Sequence, residues 1–281
     1  MIFFILSNDL IKIIIEYCVS LHKKIYNSKI IYFPDDEINT ININDKYIFF
    51  GLHYVNYPII NKPNVYYINL EQLTINGKFS QYNMLDPLLN IIQKNNEIKI
   101  CDYSQANISI LKNYNFNSLY LPYQVNYDEI FNYEKIYNFA VCCSYNTRIQ
   151  FIYNQIFEKY DNCNSIGKPI KWGTERDNIL FKTKVLANIH HREYDYNILE
   201  EIRITRCILN KVIVISEYSL EYENYPLSKY VIFIDYDNLV DKILDVINNY
   251  NIYYDKIYNN FDINQIDDEL KKYLNNLFDN I

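Results

Sequence analysis

The segment KVLANIHHREYDYNILEEIRITRCILNKVIVISE, Lys184–Glu217, decides the fold class of this chain. It predicts a short apolar strand followed by Asn188 and His190, then a helix over Asn197–Leu209, then a buried strand that ends at Glu217. This order indicates a βαβ unit of a parallel sheet covered by helices. In such sheets the carboxyl ends of the strands line the ligand crevice, and helix N-termini favour phosphate. We therefore expect a nucleotide to bind at this edge.

The same alternation of strands and helices runs along the chain. The first half has predicted strands at 3–6, 30–33, 47–50, 65–68, 98–101 and 118–121. The second half has predicted strands at 139–143, 184–189, 212–215 and 231–234, and the segment 126–132 has the composition of a linker. The pattern predicts an α/β protein with two Rossmann-like domains, at 1–130 and 131–281. The Tyr- and Asn-rich stretch 248–260 is interpreted as a solvated connection.

Composition is typical of a globular chain. Its 281 residues suit one large or two small domains, and a hydrophobic content of 49% is enough for a buried core. The net charge of −7 provides no basic field that would attract nucleic acid. No apolar run approaches the roughly 18 residues that a membrane span needs. We expect no nucleic-acid partner and no transmembrane segment.

The cysteines and the N-terminus indicate a cytoplasmic protein. The six cysteines lie mostly in apolar runs without C-x-x-C spacing, which favours buried free thiols over a zinc or redox site. The apolar segment 1–6 lacks a basic leader and is followed by Asn8 and Asp9, so it predicts a buried strand rather than a signal peptide. The excess of Tyr, Asn, Ile and Lys is typical of AT-rich genomes, including those of some viruses, for which the expected location is the host cytoplasm.

The glycine content excludes two common nucleotide-binding classes. The chain has four glycines, at positions 51, 77, 167 and 173. They cannot supply the three closely spaced glycines of a dinucleotide fingerprint, and Gly167 and Gly173 lack the spacing and the lysine of a P-loop. Dehydrogenases and P-loop kinases are therefore not expected.

Six segments carry a family resemblance. They are VYYINLEQL at 65–73, CDYSQANISIL at 101–111, LYLPY at 119–123, FAVCCSYNTR at 139–148, GTERD at 173–177, and the 184–217 segment quoted above. In this order they resemble the Asn-Leu-Glu-Gln, Asp-Tyr-Ser, Val-Pro, Ser-x-Asn-x-Arg, Glu-Arg-Asp and Asn-Ile-His with Ile-Leu-Glu-x-x-Arg-Ile motifs of GT-B glycosyltransferases, in particular a bacterial and giant-virus family. The resemblance spans roughly 49–237.

The resemblance implies a fold and a reaction. The GT-B fold has two Rossmann-like domains facing one cleft, and its C-terminal helix, here 263–281, packs back on the N-terminal half. The implied enzyme is a glycosyltransferase that moves a sugar from a nucleotide-diphosphate sugar to a hydroxyl acceptor, such as a glycan under construction. No metal and no other cofactor is implied. The alternatives are a GT-B-like protein that binds a nucleotide or glycan without catalysis, and a nucleotide-sugar epimerase.

Glu200 and Arg203 are three residues apart, so both project from the same side of the predicted helix. The resemblance implies that Glu200 binds the ribose hydroxyls of the donor, because an ionised carboxylate only accepts hydrogen bonds. The alternative is structural. Asn197 with Glu200 is a variant of the capping box, and Arg203 can pair with Glu200.

The diphosphate leaving group needs fixed positive charge, which GT-B enzymes take from Arg, Lys and backbone N–H groups. Arg176 and Lys184 are candidates, with Arg176 preferred because its fork binds phosphate bidentately. Ser144 and Arg148 follow the first strand of the second half and are further candidates. Cys143 stands where the family usually has glycine, so a side chain occupies space near the phosphate. The alternative is an ordinary ion-pair network within 173–177.

Asn188, His190 and Glu217 lie at strand ends beside the expected sugar pocket. His190 and His191 are adjacent on an extended strand and point to opposite faces, so at most one is expected to contact sugar. Isolated histidines are often structural, and Glu217 can equally cap the following turn. Asp235-Tyr236-Asp237 spells Asp-x-Asp, but it follows a strand and precedes a helix, so Asp237 is interpreted as an N-cap rather than a metal ligand.

The first half is expected to hold the catalytic base and the acceptor. Glu71 and His53 follow apolar strands, and either can take the acceptor proton in an inverting reaction, with Glu71 preferred. Asp102, Tyr103 and Ser104 also follow a strand and match the family, so they are candidates for contact with acceptor or donor.

Overall fold

The computed structural model describes residues 1–7, 10–33, 41–51, 59–74, 84–142, 146–166, 173–190 and 197–277. These residues form an α/β fold with two parallel sheets. The chain divides into two compact units. The first comprises Met1–Asn126 and Glu269–Ile281, and the second comprises Tyr127–Asp268.

The first unit contains a six-stranded sheet with the order β2-β1-β3-β4-β5-β6. Every neighbouring pair is parallel, and all five residues of β4 are buried, as expected for a strand covered on both faces. The strands are β1 (Ile2–Ser7), β2 (Ser28–Phe33), β3 (Lys46–Phe50), β4 (Val65–Asn69), β5 (Lys99–Asp102) and β6 (Leu119–Tyr120), and the helices are α1 (Ile11–His22), α2 (Leu85–Lys94) and α3 (Gln105–Asn113).

The carboxyl end of β3 requires a glycine. Gly51 has a φ of 76°, in the left-handed region, and its N–H donates to the Ile68 carbonyl at 3.1 Å. A Cβ at this position would lie 2.4 Å from Cδ1 of Leu10. The left-handed backbone and this close approach both favour glycine over a residue with a side chain at this position.

The second unit contains a five-stranded parallel sheet with the order β11-β10-β9-β7-β8. Asn188 at the end of β9 lies opposite Ser216 of β10, and Glu217 lies opposite Ile234 of β11. The predicted polar residues thus lie at one edge of this sheet. The strands are β7 (Tyr137–Cys142), β8 (Cys163–Ile166), β9 (Thr183–Asn188), β10 (Ile213–Glu217) and β11 (Val231–Ile234), and the helices are α4 (Thr147–Phe157), α5 (Thr174–Phe181), α6 (Glu201–Leu209), α7 (Leu239–Asn248) and α8 (Tyr250–Tyr258).

The last helix, α9 (Ile263–Asn276), begins in the second unit and ends in the first. Within the first unit, Gln124 Nε2 donates to the Leu270 carbonyl at 3.2 Å. The Tyr273 ring packs edge-on against Tyr120, with the ring centroids 4.8 Å apart. Leu270, Leu274 and Leu277 are buried. The end of the chain therefore contributes to the core of the first unit.

Three local predictions from the sequence were wrong or incomplete. The helix expected from Asn197 begins at Glu201, because the Asn197 carbonyl accepts a hydrogen bond from the Leu220 N–H at 2.9 Å. The strand β8 and helix α5 were not predicted. The stretch 248–260, interpreted as a solvated connection, contains helix α8. This helix is held by Tyr258, which is buried and whose hydroxyl donates to the Val212 carbonyl at 2.6 Å.

The expectation of free thiols is confirmed for the cysteines in the described ranges. Cys18, Cys101, Cys142 and Cys207 are buried and Cys163 is half-buried, and none of these five forms a disulfide. Burial raises the pKa of the Cys207 thiol to about 12, so this group stays protonated at neutral pH. No helix in the described part of the chain combines the length and the apolar character that crossing a bilayer demands.

Candidate functional site

Arg148, His190 and Glu217 form a cluster at the carboxyl edge of the second sheet. Arg148 Nη2 donates to Glu217 Oε2 at 2.8 Å, and Arg148 Nη1 donates to the His190 carbonyl at 3.1 Å. The His190 N–H donates to Glu217 Oε1 at 2.9 Å. Glu217, only 7% exposed, thereby binds the start of α4 to the end of β9. Charge-assisted bonds of this kind are strong and fix the His190 backbone.

Tyr236 completes this cluster and was missed by the sequence analysis. Its ring centroid lies 3.9 Å from the Arg148 guanidinium carbon, a cation–π contact, and its hydroxyl donates to the Arg148 carbonyl at 3.0 Å. Its position directly after β11, at the same edge of the sheet, could have indicated this role from the sequence. Asp237 beside it is not the N-cap of α7, because that helix begins at Leu239 with Asn238 as its N-cap.

His190 is held as a neutral imidazole. Burial lowers its pKa below 6.5, while the negative charge of Glu217 and the bond to the Tyr218 carbonyl oppose this shift. Nε2 lies 3.1 Å from the Tyr218 carbonyl and 3.3 Å from the Ser219 hydroxyl. A carbonyl can only accept, so Nε2 carries the proton and Nδ1 keeps its lone pair. The ring can therefore accept a hydrogen bond at Nδ1.

The Asn188 side chain is held by the neighbouring strand β10. Its Nδ2 donates to the Ser216 hydroxyl at 3.0 Å, and that hydroxyl donates to the Glu217 carbonyl at 2.8 Å. Asn188 is 4% exposed. The structure thus brings Asn188, His190, Glu217 and Arg148 together.

Glu200 and Arg203 lie at the start of α6, near this cluster. Glu200 is the N-cap residue of α6, but its side chain makes no capping hydrogen bond. The predicted capping box of Asn197 and Glu200 was therefore wrong. Arg203 Nη2 lies 3.7 Å from Glu200 Oε2, which supports the alternative of an ion pair. The Glu200 side chain is 34% exposed, and its charge acts to raise the pKa of His190. Glu200 therefore combines proximity to the cluster with access to solvent.

Arg176, in the first turn of α5, is buried and lies in an ion network. Its Nε donates to Asp177 Oδ1 at 2.7 Å. Asp177 also receives both terminal nitrogens of Arg206, at 3.2 and 2.6 Å, and Arg206 Nε donates to Glu129 at 2.9 Å. The network interpretation of 173–177 thus describes what is observed, although both arginines are buried. Arg206 and Glu129 were not found from the sequence, because their partners are distant along the chain.

Lys184 lies away from the cluster, at the amino end of β9. Its ammonium donates to Asn138 Oδ1 at 3.0 Å. Asn188 lies four positions further along the strand, a distance of roughly 13 Å. The structure does not bring Lys184 together with the polar residues at the carboxyl edge. His53 and Ser144, together with Cys143 and His191, lie outside the described residues.

A second polar cluster lies at the carboxyl ends of β4 and β5 in the first unit. Asp102 Oδ2 accepts from Asn69 Nδ2 at 2.7 Å, and its Oδ1 accepts from Asn107 Nδ2 at 3.0 Å and from the Ser104 N–H at 2.9 Å. Burial raises the pKa of Asp102 to about 7, against the opposing effect of these donors. Asp102, Tyr103 and Ser104 are at most 3% exposed. Their expected direct contact with substrate stays a prediction.

Glu71 is held by this cluster through its backbone. Its N–H donates to Asn69 Oδ1 at 3.1 Å, and its carbonyl accepts from Asn69 Nδ2 at 2.8 Å and Asn107 Nδ2 at 2.9 Å. The residue itself is half-buried. A half-buried glutamate on a fixed backbone can present a base to a bound hydroxyl.

Within the ranges that the structure describes, no three or more His, Cys, Asp or Glu side chains are grouped so that they could hold an ion.

Comparison with solved structures identifies the fold as GT-B. TarM, a GT-B glycosyltransferase, matches with a TM-score of 0.54 at 12% identity, over 84% of this chain and 55% of TarM. A point mutant of S. aureus TarM, in complex with Fondaparinux, alpha-GlcNAc-glycerol and UDP, gives the same TM-score at 11% identity. This chain thus spans little more than half of TarM, and at such identity the likeness establishes the fold.

Sequence relatives are proteins of a giant virus. Uncharacterized protein R358 of Acanthamoeba polyphaga mimivirus is 28% identical over 251 residues, which cover 85% of this chain and 83% of that protein. Uncharacterized protein L137 of the same virus is 32% identical over 198 residues, 65% of this chain but only 25% of its own length. No protein-family model matches the chain.

Proposed function

We propose that this chain is a glycosyltransferase that moves a sugar from a nucleotide-diphosphate sugar to a hydroxyl group of a glycan or related acceptor. The observation that carries the proposal is the group of polar residues at the carboxyl edge of the second sheet, on a fold shared with TarM. Fold alone does not imply function, so the site must supply the chemistry. UDP is among the molecules in the complex of the TarM mutant, which makes it the first donor nucleotide to test.

The second unit is proposed to bind the donor. Glu200 accepts hydrogen bonds from the ribose hydroxyls, and Arg203, one turn further along α6, supplies positive charge for the diphosphate. His190 accepts a hydrogen bond from a sugar hydroxyl at Nδ1. Arg148 and Glu217 hold the His190 backbone through the contacts described above. Arg176 and Lys184 stay predictions without support from their contacts.

The first unit is proposed to supply the base. When the acceptor hydroxyl attacks the anomeric carbon, its proton passes to the Glu71 carboxylate as the bond from that carbon to the diphosphate breaks. The leaving diphosphate takes the bonding electrons, and protein cations and backbone N–H groups stabilise its charge. These steps describe an inverting transfer.

We further propose that transfer needs no divalent metal, because Arg203 and backbone N–H groups provide the positive charge that a metal ion supplies in other enzymes. The expected result is that EDTA leaves the transfer rate within about twofold of its value with Mg²⁺. A complete loss of turnover in EDTA that added Mg²⁺ or Mn²⁺ restores would contradict this expectation.

Two measurements test the function. A thermal-shift series with UDP, GDP, CDP and their sugars identifies the donor, since a ligand at about 100 times its Kd adds about 2.7 kcal/mol to the unfolding free energy. Hydrolysis of that nucleotide sugar in the absence of acceptor is then followed by product analysis. Slow release of the nucleoside diphosphate supports a transferase, stabilisation without any turnover indicates a binding protein, and conversion to an isomeric nucleotide sugar indicates an epimerase.

A further inference from the structure

Two asparagines in the first unit bridge the same pair of groups. Asn69, at the end of β4, and Asn107, in the first turns of α3, each donate one N–H of the side-chain amide to Asp102 and the other to the Glu71 carbonyl. Their amide oxygens accept backbone N–H groups of the same segment, from Glu71 at 3.1 Å and from Leu73 at 2.9 Å. All polar atoms of both amides are therefore used.

We propose that Asn69 and Asn107 are positioning residues for the transfer reaction, which hold the Glu71 segment (residues 70–74) in its active geometry with Asp102 as their common anchor. The inference rests on the proposed function and extends it to residues that do not touch substrate.

The carboxylate determines how the two amides are oriented. An amide side chain is nearly symmetric in shape, and either end can face a neighbour. The Asp102 carboxylate, which is ionised above its pKa of about 7, only accepts hydrogen bonds in that form, so it selects the Nδ2 end of Asn69 and of Asn107. The Oδ1 ends must then face the backbone N–H groups of Glu71 and Leu73. The buried acid thus sets the direction of every hydrogen bond that these two amides make to the segment.

Burial gives this arrangement its strength. Asn69, Asp102 and Asn107 are each 0% exposed, so water cannot replace a lost partner. The segment that they hold is otherwise a connection without regular structure between β4 and the residues beyond 74. A shift of about 1 Å in a reacting group can cost roughly a hundredfold in rate. Loss of either asparagine is therefore expected to act on the chemical step.

The test uses Asn107→Ala in the full chain, because alanine suits a helix and removes the bonds to Asp102, the Glu71 carbonyl and the Leu73 N–H. We expect kcat for transfer to fall about 10- to 100-fold while the Kd for the donor, measured by titration calorimetry, stays within about twofold. Amide exchange followed by NMR should accelerate at Leu73 by about tenfold or more. Asn69→Ala is the second variant and should show the same split between kcat and Kd, with the accelerated exchange at Glu71.

The matched control is Asn64→Ala. Asn64 is also a buried asparagine that holds a loop of the first unit, with Nδ2 donating to the carbonyls of Asn42 at 3.0 Å and Asp45 at 2.6 Å. This loop precedes β3 and lies at the amino edge of the sheet. A general loss of stability would affect kcat in all three variants, whereas positioning predicts that Asn64→Ala keeps kcat within about twofold of the wild type.

The outcomes separate this inference from the proposed function. Unchanged exchange at Leu73 and unchanged kcat in Asn107→Ala would overturn the positioning role while leaving the glycosyltransferase proposal intact. A parallel loss of donor affinity, or an equal loss of kcat in Asn64→Ala, would also overturn it. Absence of transfer by the wild-type chain with every donor would remove the proposed function itself.

Discussion

Glu200 and Glu201 are adjacent in sequence but lie in different environments. The Glu200 side chain is 34% exposed and lies near the polar cluster around His190, whereas Glu201 is only 4% exposed as a residue. Helix α6 begins at Glu201, and the Glu200 side chain does not cap its first turn. Removal of the Glu200 carboxylate should therefore affect a ligand more than the helix.

Glu200→Ala tests the ribose contact. We expect the affinity for the donor nucleotide to fall by about 1.5–3 kcal/mol, the typical value for hydrogen bonds to a charged group. The unfolding free energy should change by less than about 1 kcal/mol, because the ion pair with Arg203 is long and solvent-accessible. Calorimetric titration and thermal unfolding measure the two quantities. Glu201→Ala, at the buried neighbour, should show the reverse pattern, and a lower melting temperature with unchanged affinity in Glu200→Ala would assign Glu200 to the fold.

Arg206 provides a test of the ion network around Asp177. It is 6% exposed and contacts Asp177 through two nitrogens and Glu129 through a third. Arg206→Ala removes the common partner of two half-buried carboxylates, while Arg176 still contacts Asp177, and we expect a loss of about 1.5–3 kcal/mol in urea unfolding. The double variant that also replaces Asp177 with leucine should recover part of this loss. A loss below about 1 kcal/mol would show that solvent reaches the network.

At the scale of the element, the buried end of β5 makes folding dependent on pH. The pKa of Asp102 rises from 3.8 to about 7 in the folded protein, so between these values the folded chain keeps a proton that the unfolded chain has released. The unfolding free energy contributed by this group therefore falls as pH rises from about 4 to about 7.

Asp102→Asn isolates this effect. We expect the unfolding free energy of the variant minus that of the wild type to rise by about 1–3 kcal/mol from about pH 5 to about pH 8. Each unit by which the pKa of Asp102 is raised accounts for about 1.4 kcal/mol of this rise. Urea unfolding at several pH values measures it, and the subtraction cancels other titrating groups. A difference that stays constant across this range would show that Asp102 titrates at its ordinary pKa.

The elements differ in how far the sequence can predict them. Apolar strands such as β4 and β10 are found because most of their residues are apolar or aromatic. The strand β8, Cys-Asn-Ser-Ile, is half polar and short, so no periodicity marks it. Helix α8 has a sequence rich in Tyr, Asn and Ile that gives a weak helical pattern, and aromatic packing of Tyr258 against Tyr230 stabilises it.

The site is predicted less completely than the fold, for a physical reason. Glu217 is placed at a sheet edge by its strand, but its partner Arg148 is 69 residues away. Asn69 and Asp102 are 33 residues apart and meet because β4 and β5 are neighbours. Local patterns contain no information on such pairs, so the positioning asparagines, Tyr236 and Arg206 become visible only in three dimensions.

At the scale of the whole molecule, the proposed function assigns the base to the first unit and donor binding to the second. Glu71→Gln changes only the proposed base in the first unit, since a neutral amide cannot take the acceptor proton. We expect transfer to fall by about 10²- to 10⁴-fold while donor affinity, which depends on the second unit, is unchanged. Rate and affinity must be measured on the same preparation. Lost donor affinity with normal turnover of bound donor would place Glu71 in the donor site.

Helix α9 has a consequence for how the protein is made. A ribosome releases residues 1–126 first, but residues 269–277 of the same unit emerge about 140 residues later, roughly 7–28 s at usual synthesis rates. During that interval the nascent first unit lacks Leu270, Leu274 and Leu277, which are buried in the finished protein. Their binding surface stays open to water, to chaperones and to neighbouring chains until residues 269–277 have emerged. Slow synthesis prolongs this exposure, so synthesis speed and chaperone supply should affect the yield of this protein.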